Sequence, residues 1–138
     1  MKPFSRLILV LGLILSAAIP AFAGDQDPLF VNLTSDDTHR AQMALTFSAK
    51  QLERGHPLTV WLNDKGVLLG SKAKSAEYAL HQKMLTEMMA KGAEVIICPM
   101  CMKHYGVAEA DLVPGIRVGN PDLTGAALFK DHSQTLSW

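Results

Sequence analysis

Five short apolar runs, spaced so that a helix-forming stretch can lie between each and the next, constrain this chain more than any other feature. The runs are Leu29 to Leu33, Leu58 to Leu62, Glu94 to Ile97, Ile116 to Val118 and Thr135 to Trp138. Each has strand length, and the first three are rich in aliphatic residues. After the first, Ala41, Ala44, Leu45, Ser48 and Leu52 recur at helical spacing, with Ser35 or Asp36 placed to cap the helix and Gly55 to end it. After the second, Asn63 to Ser75 is polar around Val67-Leu68-Leu69 and reads as an excursion over one end of the sheet. Leu80, Met84, Leu85 and Met88 then mark a face of a second helix, closed by Lys91 and Gly92. The methionines on it read as core packing. Asn120 as cap and Pro121 at the first helical position open a helix running to about Lys130. Regular alternation of strand and helix predicts a three-layer α/β/α domain with a mainly parallel sheet of about five strands.

The first 23 residues stand apart. Lys2 and Arg6 precede an apolar run from Leu7 to Ile19, and Ala21-Phe22-Ala23 offers a small-x-small cleavage site before Gly24. That run is shorter than the roughly 20 residues a membrane span needs, so residues 1–23 read as a cleaved signal peptide and residues 24–138 as the single mature domain. The reading places the protein outside the cytoplasm, in the periplasm of a Gram-negative cell, with no membrane attachment after cleavage. The whole chain has 13 basic and 13 acidic side chains. The leader holds two of the basic ones and no acid, so the mature domain is slightly acidic, which argues against a nucleic-acid partner recruited by bulk charge. Two cysteines allow one bridge at most, which rules out a disulfide-framework miniprotein.

Those cysteines carry the chemistry. Cys98-Pro99-Met100-Cys101-Met102-Lys103-His104 follows the third strand directly, and open α/β sheets bind ligands at the carboxyl ends of their strands. Pro99 suits the first turn of a short helix that ends near Tyr105, with Gly106 closing it. Cys98 would then cap that helix and accept a hydrogen bond from the amide of Met100 or Cys101, which favours its thiolate. Cys101, almost one turn deeper and nearer the core, would resolve a mixed disulfide or bridge to Cys98.

Three chemistries fit the spacing. A structural disulfide would close a very small loop and so constrain the unfolded chain little. Copper(I) could take Cys98, Cys101 and His104, with Met100 and Met102 as soft donors nearby, whereas structural zinc wants a fourth ligand that the chain does not offer. Nucleophilic sulfur chemistry on Cys98 and Cys101 is the preferred reading and calls for no cofactor. A thioredoxin-like fold is disfavoured, because two strand-helix units precede the cysteines.

Gly92 to Cys98 running into Pro99 to Val107, followed by Asp111-Leu112-Val113-Pro114-Gly115-Ile116, resembles the DsrE/DsrF-like, DsrEFH-type family of sulfur-relay proteins. The resemblance extends to the opening strand with its Asp-rich loop, to Glu53-Arg54-Gly55-His56 and to Asp64-Lys65-Gly66-Val67. It implies a parallel α/β/α fold, assembly into homo-oligomers and a persulfide carried on Cys98. A small sulfur compound or a thiol protein would be the partner, whether by turnover or by carriage alone. A periplasmic copper(I) accessory protein and a non-catalytic oligomeric subunit are the alternatives. Auxiliary candidates are His104 and Lys103, on the helix after the cysteines, and Asp37 and His39, after the first strand at the same end of the sheet.

Overall fold

The computed structural model describes residue 24 and residues 26–138, so the expected leader lies outside the described residues. In chain order the elements are β1 (Leu29–Leu33), α1 (Thr38–Glu53), β2 (Leu58–Leu62), α2 (Ser75–Ala90), β3 (Glu94–Ile97), α3 (Pro99–Tyr105), β4 (Arg117–Val118), α4 (Pro121–Leu128) and β5 (Gln134–Ser137). The strands form one sheet in the order β4-β3-β2-β1-β5, and every pairing is parallel. The chain steps outward from β1 to β4, then returns across the sheet to place β5 on the other side of β1. With right-handed crossovers, that reversal puts α4 on the face opposite α1 and α2, which completes the three layers.

Register builds the core. Val31, Val60 and Val95 are paired neighbours across three strands, as are Leu33, Leu62 and Ile97. All six are fully or almost fully buried on the face covered by α1 and α2. Burying each such side chain is worth roughly 1.5–3 kcal/mol. The other face is mixed: Phe30 and Ile96 are buried, Trp61 is half-buried, and Glu94 pairs with Arg117. Phe30, Asn32, Trp61, Thr124 and Leu128 line a cleft there, beneath α4.

Several local expectations are corrected. Asp37, not Ser35 or Asp36, caps α1: its Oδ1 accepts the Arg40 amide at 2.7 Å, while Ser35 Oγ accepts the amide of Asp37 at 3.1 Å. On α2 the buried stripe is Tyr78, His81, Gln82, Leu85 and Met88, and Leu80 is 49 % exposed. A kink at Tyr78 (φ −113°, ψ 21°) rotates the first turn. The polar pair is buried because His81 Nε2 meets the Thr38 carbonyl and Gln82 Nε2 donates to the Ser71 carbonyl. The excursion after β2 is no surface loop. It folds into 3-10 turns, Asp64–Gly70 and Lys72–Lys74, that bury Gly66, Val67, Leu69 and Gly70. Asp111 pins it from across the fold, accepting from Ser71 Oγ at 2.9 Å and from the Ala73 amide at 3.0 Å. Those bonds hold the Asp111 carboxyl below the usual carboxylate range.

Candidate functional site

The site begins where β2 and β3 leave the sheet side by side. Leu62 pairs with Ile97, so the next residues, Asn63 and Cys98, emerge as neighbours at the carboxyl edge. Cys98 remains tied to the sheet by its amide, which donates to the Leu62 carbonyl at 2.9 Å. Its extended backbone (φ −73°, ψ 114°) ends the strand, Pro99 starts α3, and Gly106 in the left-handed region (φ 70°) stops it. Cys98 Sγ accepts the Cys101 amide at 3.4 Å. Both cysteines are free thiols.

Burial reverses the expected order of depth. Cys98 is only 9 % exposed and belongs to the core cluster, whereas Cys101 is intermediate and faces the turn after β2. Capping a helix that packs on the sheet edge draws Cys98 inward, and one partial turn carries Cys101 toward Asn63 and Asp64. Cys101 Sγ lies 3.1 Å from Asn63 Oδ1 and accepts the Asp64 amide at 3.3 Å. The same Asp64 amide donates to Asn63 Oδ1 at 2.8 Å. Partial burial pushes the Cys101 thiol above its ordinary range, and the neighbouring Cys98 side chain adds to the shift. The Asp64 amide opposes it, and the charges of Cys98 and Asp64 reinforce it.

Asp64 has φ +46°, in the left-handed region that aspartate tolerates better than most residues. Its carboxylate accepts the Tyr105 hydroxyl at 2.5 Å, a charge-assisted bond that ties the end of α3 to the turn after β2. Asn63, Asp64 and Tyr105 were not among the candidate site residues read from the sequence. An Asn-Asp pair directly after a predicted strand was the available signal.

Asp64, beside the Tyr105 hydroxyl, raises that phenol to about 12. Burial does the same for Tyr78, with help from Glu77 and Asp36. These are the chain's two tyrosines. An ultraviolet titration of the folded protein should therefore show little phenolate at pH 10, where a free tyrosine is half ionised. Half-ionisation of one tyrosine at that pH, persisting when Tyr78 is replaced by phenylalanine, would mean that the Tyr105 to Asp64 bond is not made.

The remaining candidates are dispersed. Lys103 and His104 are exposed on α3, and the His104 ring packs edge-on against Tyr105 with centroids 4.7 Å apart. Asp37 is engaged as the cap of α1 and His39 is exposed beside it. Met102 points into the core, while Met100 is 80 % exposed. Among the described residues no three His, Cys, Asp or Glu side chains converge as a metal cluster.

An all-parallel open sheet with two thiols at a strand-to-helix junction defines a class of small α/β proteins whose working edge is the carboxyl end of the strands. The chain belongs to the DsrE/DsrF-like family, whose family model matches residues 29–132, and it has that family's sulfur-relay type of fold. Among curated proteins it is 32% identical over 80 residues to the uncharacterised protein MK0008 of Methanopyrus kandleri, a match spanning 57% of this chain and 66% of that protein. To the uncharacterised protein MJ0989 of Methanocaldococcus jannaschii it is 30% identical over 80 residues, spanning 57% and 70%. Several solved structures share the fold, MTH1491 and YchN among them. MTH1491 of Methanobacterium thermoautotrophicum, a protein of unknown function, has a TM-score of 0.68 at 14% identity, covering 82% of this chain and all of that one. The YchN protein of E. coli has a TM-score of 0.62 at 18% identity, covering 82% and 99%. Among the described residues no helix is long and apolar enough to cross a membrane.

Proposed function

We propose that this protein carries or exchanges sulfur on Cys98, with Cys101 as the resolving partner. One observation carries the reading: Cys98 Sγ sits at the end of β3, holds the Cys101 amide, and has a second thiol beside it. Membership of a family with a sulfur-relay type of fold supports the same chemistry. With thiosulfate as donor, the Cys98 thiolate attacks the outer sulfur, the sulfur–sulfur bond of the donor breaks, sulfite leaves and Cys98 becomes a persulfide. Cys101 then gives up its proton and its thiolate attacks the inner sulfur, closing a Cys98–Cys101 disulfide and displacing hydrosulfide, which takes up that proton and leaves as hydrogen sulfide. A protein disulfide as partner follows the same course, with its reduced thiols as the leaving groups.

Intact-mass measurement on the reduced protein, incubated with thiosulfate, a polysulfide or a small persulfide, tests the proposal. The expected result is one added sulfur on Cys98, or the intramolecular disulfide with sulfide released. Neither product with any of the donors would remove sulfur carriage.

The reading extends to an exported, self-associating protein. Its support is the signal-like leader and the thin cover of the second sheet face, where α4 fully buries none of its residues and leads into Phe129, 82 % exposed. Protein recovered from expressing cells should begin at Gly24 and scatter light as an assembly larger than one chain. A micromolar monomer would end the self-association claim, and an intact Met1 would end the export claim.

A further inference from the structure

We propose that Asn63 sorts the two thiols: its side-chain oxygen holds the Cys101 proton, which leaves Cys98 as the sulfur that attacks and Cys101 as the sulfur that resolves. The inference rests on the reading of Cys98 and Cys101 as an exchanging pair and adds a positioning residue that the cysteine motif does not contain.

The argument starts from the orientation of one amide. A backbone N–H can only donate, and the Asp64 amide reaches the Asn63 side chain at 2.8 Å. The Asn63 atom it meets is therefore the oxygen, not the amide nitrogen. Cys101 Sγ lies 3.1 Å from that same oxygen. An oxygen offers only lone pairs, so the contact is attractive for the protonated thiol and repulsive for the thiolate. Among the described residues the Asp64 N–H is the one group there that favours the thiolate, and it is divided between Asn63 Oδ1 and Cys101 Sγ. Cys98 stands differently, since its sulfur accepts the undivided Cys101 amide. The titratable groups acting on Cys101 are Cys98 at the β3 end and Asp64 at the β2 end, both raising it. Cys101 in turn acts on Tyr105 of α3, as Asp36 does from the loop before α1.

The arrangement fits the order of events. Until a mixed disulfide or persulfide forms on Cys98, a Cys101 thiolate would compete for the incoming sulfur. Once Cys98 is loaded, Cys101 attacks it, the bond from Cys98 to the outer sulfur breaks, and the departing group takes the Cys101 proton. The proton that Asn63 holds is thus handed on in the resolving step, as the Cys101 thiolate forms and the departing group is protonated.

Two variants of the full mature chain should move Cys101 in opposite directions. Asn63→Ala removes the acceptor and frees the Asp64 amide for sulfur, so the pH midpoint of Cys101 alkylation should fall by about one unit, raising its labelling rate about tenfold below the midpoint. Asn63→Asp keeps the shape and the turn cap but adds a negative charge, so the midpoint should rise by about as much. Site-resolved peptide mapping of the reduced protein, alkylated across pH without any sulfur donor, reads both. Shifts of the same sign, or no shift in Asn63→Asp, would overturn the proposal. Should Asn63→Ala fail to fold, Asn63→Asp decides alone. Sulfur uptake is measured separately, so loss of uptake with thiol sorting intact defeats the sulfur reading only, and the reverse result defeats only the role of Asn63.

Discussion

Replacing Gly66 by alanine is expected to lower stability by about 3 kcal/mol, a large share of the 5–15 kcal/mol typical of a domain. Gly66 lies in the 3-10 turn that follows Asp64, and its amide donates to the Thr34 and Asn63 carbonyls. A Cβ added there would stand 2.1 Å from the Leu33 carbonyl oxygen and 3.0 Å from the Leu33 carbonyl carbon. Both are backbone atoms of β1, held in the sheet on two sides, so neither can turn away as a side-chain tip would. The turn must lift instead. Lifting it withdraws Val67 and Leu69 from the core and moves Asn63 and Asp64 off Cys101. The urea midpoint should fall by about 1–3 M, and the alkylation profile of Cys101 should change with it. Gly125 of α4 is the control: nothing lies within 4 Å of a Cβ built there, and alanine in a helix interior should stabilise by about 0.5–1 kcal/mol. An unchanged midpoint for Gly66→Ala would show that the turn does not seat on β1 as described.

The two cysteine-to-serine variants should split the sulfur reaction into halves. Cys98→Ser is expected to abolish uptake from every donor, because a serine hydroxyl is not ionised at neutral pH and Cys101 is held as a thiol by burial and by Asn63. Cys101→Ser should still take up sulfur and should then retain it. With no second thiol, the persulfide on Cys98 cannot be displaced as sulfide, so the sulfur adduct accumulates to nearly one per chain. In the unaltered protein the same adduct is transient and sulfide appears. Mass spectra taken over time after thiosulfate addition would separate these outcomes. Uptake by Cys98→Ser at the unaltered rate would transfer the attacking role to Cys101. Sulfide release from Cys101→Ser without added thiol would remove Cys101 as the resolving group.

The alternation of strand and helix was legible because it is written locally. Leu29 to Leu33, Leu58 to Leu62 and Glu94 to Ile97 are strands wherever the chain puts them, and Asn120-Pro121 opens a helix by capping alone, with Asn120 Oδ1 on the Leu123 amide at 2.8 Å. The strand-to-helix junction at Cys98 was legible for the same reason, since Pro99, the next residue, and Gly106, eight residues on, bracket α3. Its environment was not. That Asn63 and Asp64 meet Cys101, and that Tyr105 ties to Asp64, depends on β2 and β3 being paired with Leu62 beside Ile97. Parallel register is a contact between segments more than thirty residues apart, and no period within either segment encodes it. The buried stripe of α2 was misjudged on similar grounds. Hydropathy favours Leu80, but the Thr38 and Ser71 carbonyls, brought in from other elements, make His81 and Gln82 the better residues to bury. By itself the sequence determined the elements, their order and the thiol at the end of β3, because hydrophobic spacing and capping act over a few residues. Only the tertiary structure decided which side chains surround that thiol, how deeply each sulfur is buried and where the Cys101 proton rests, because those follow from which strand ends the sheet places side by side.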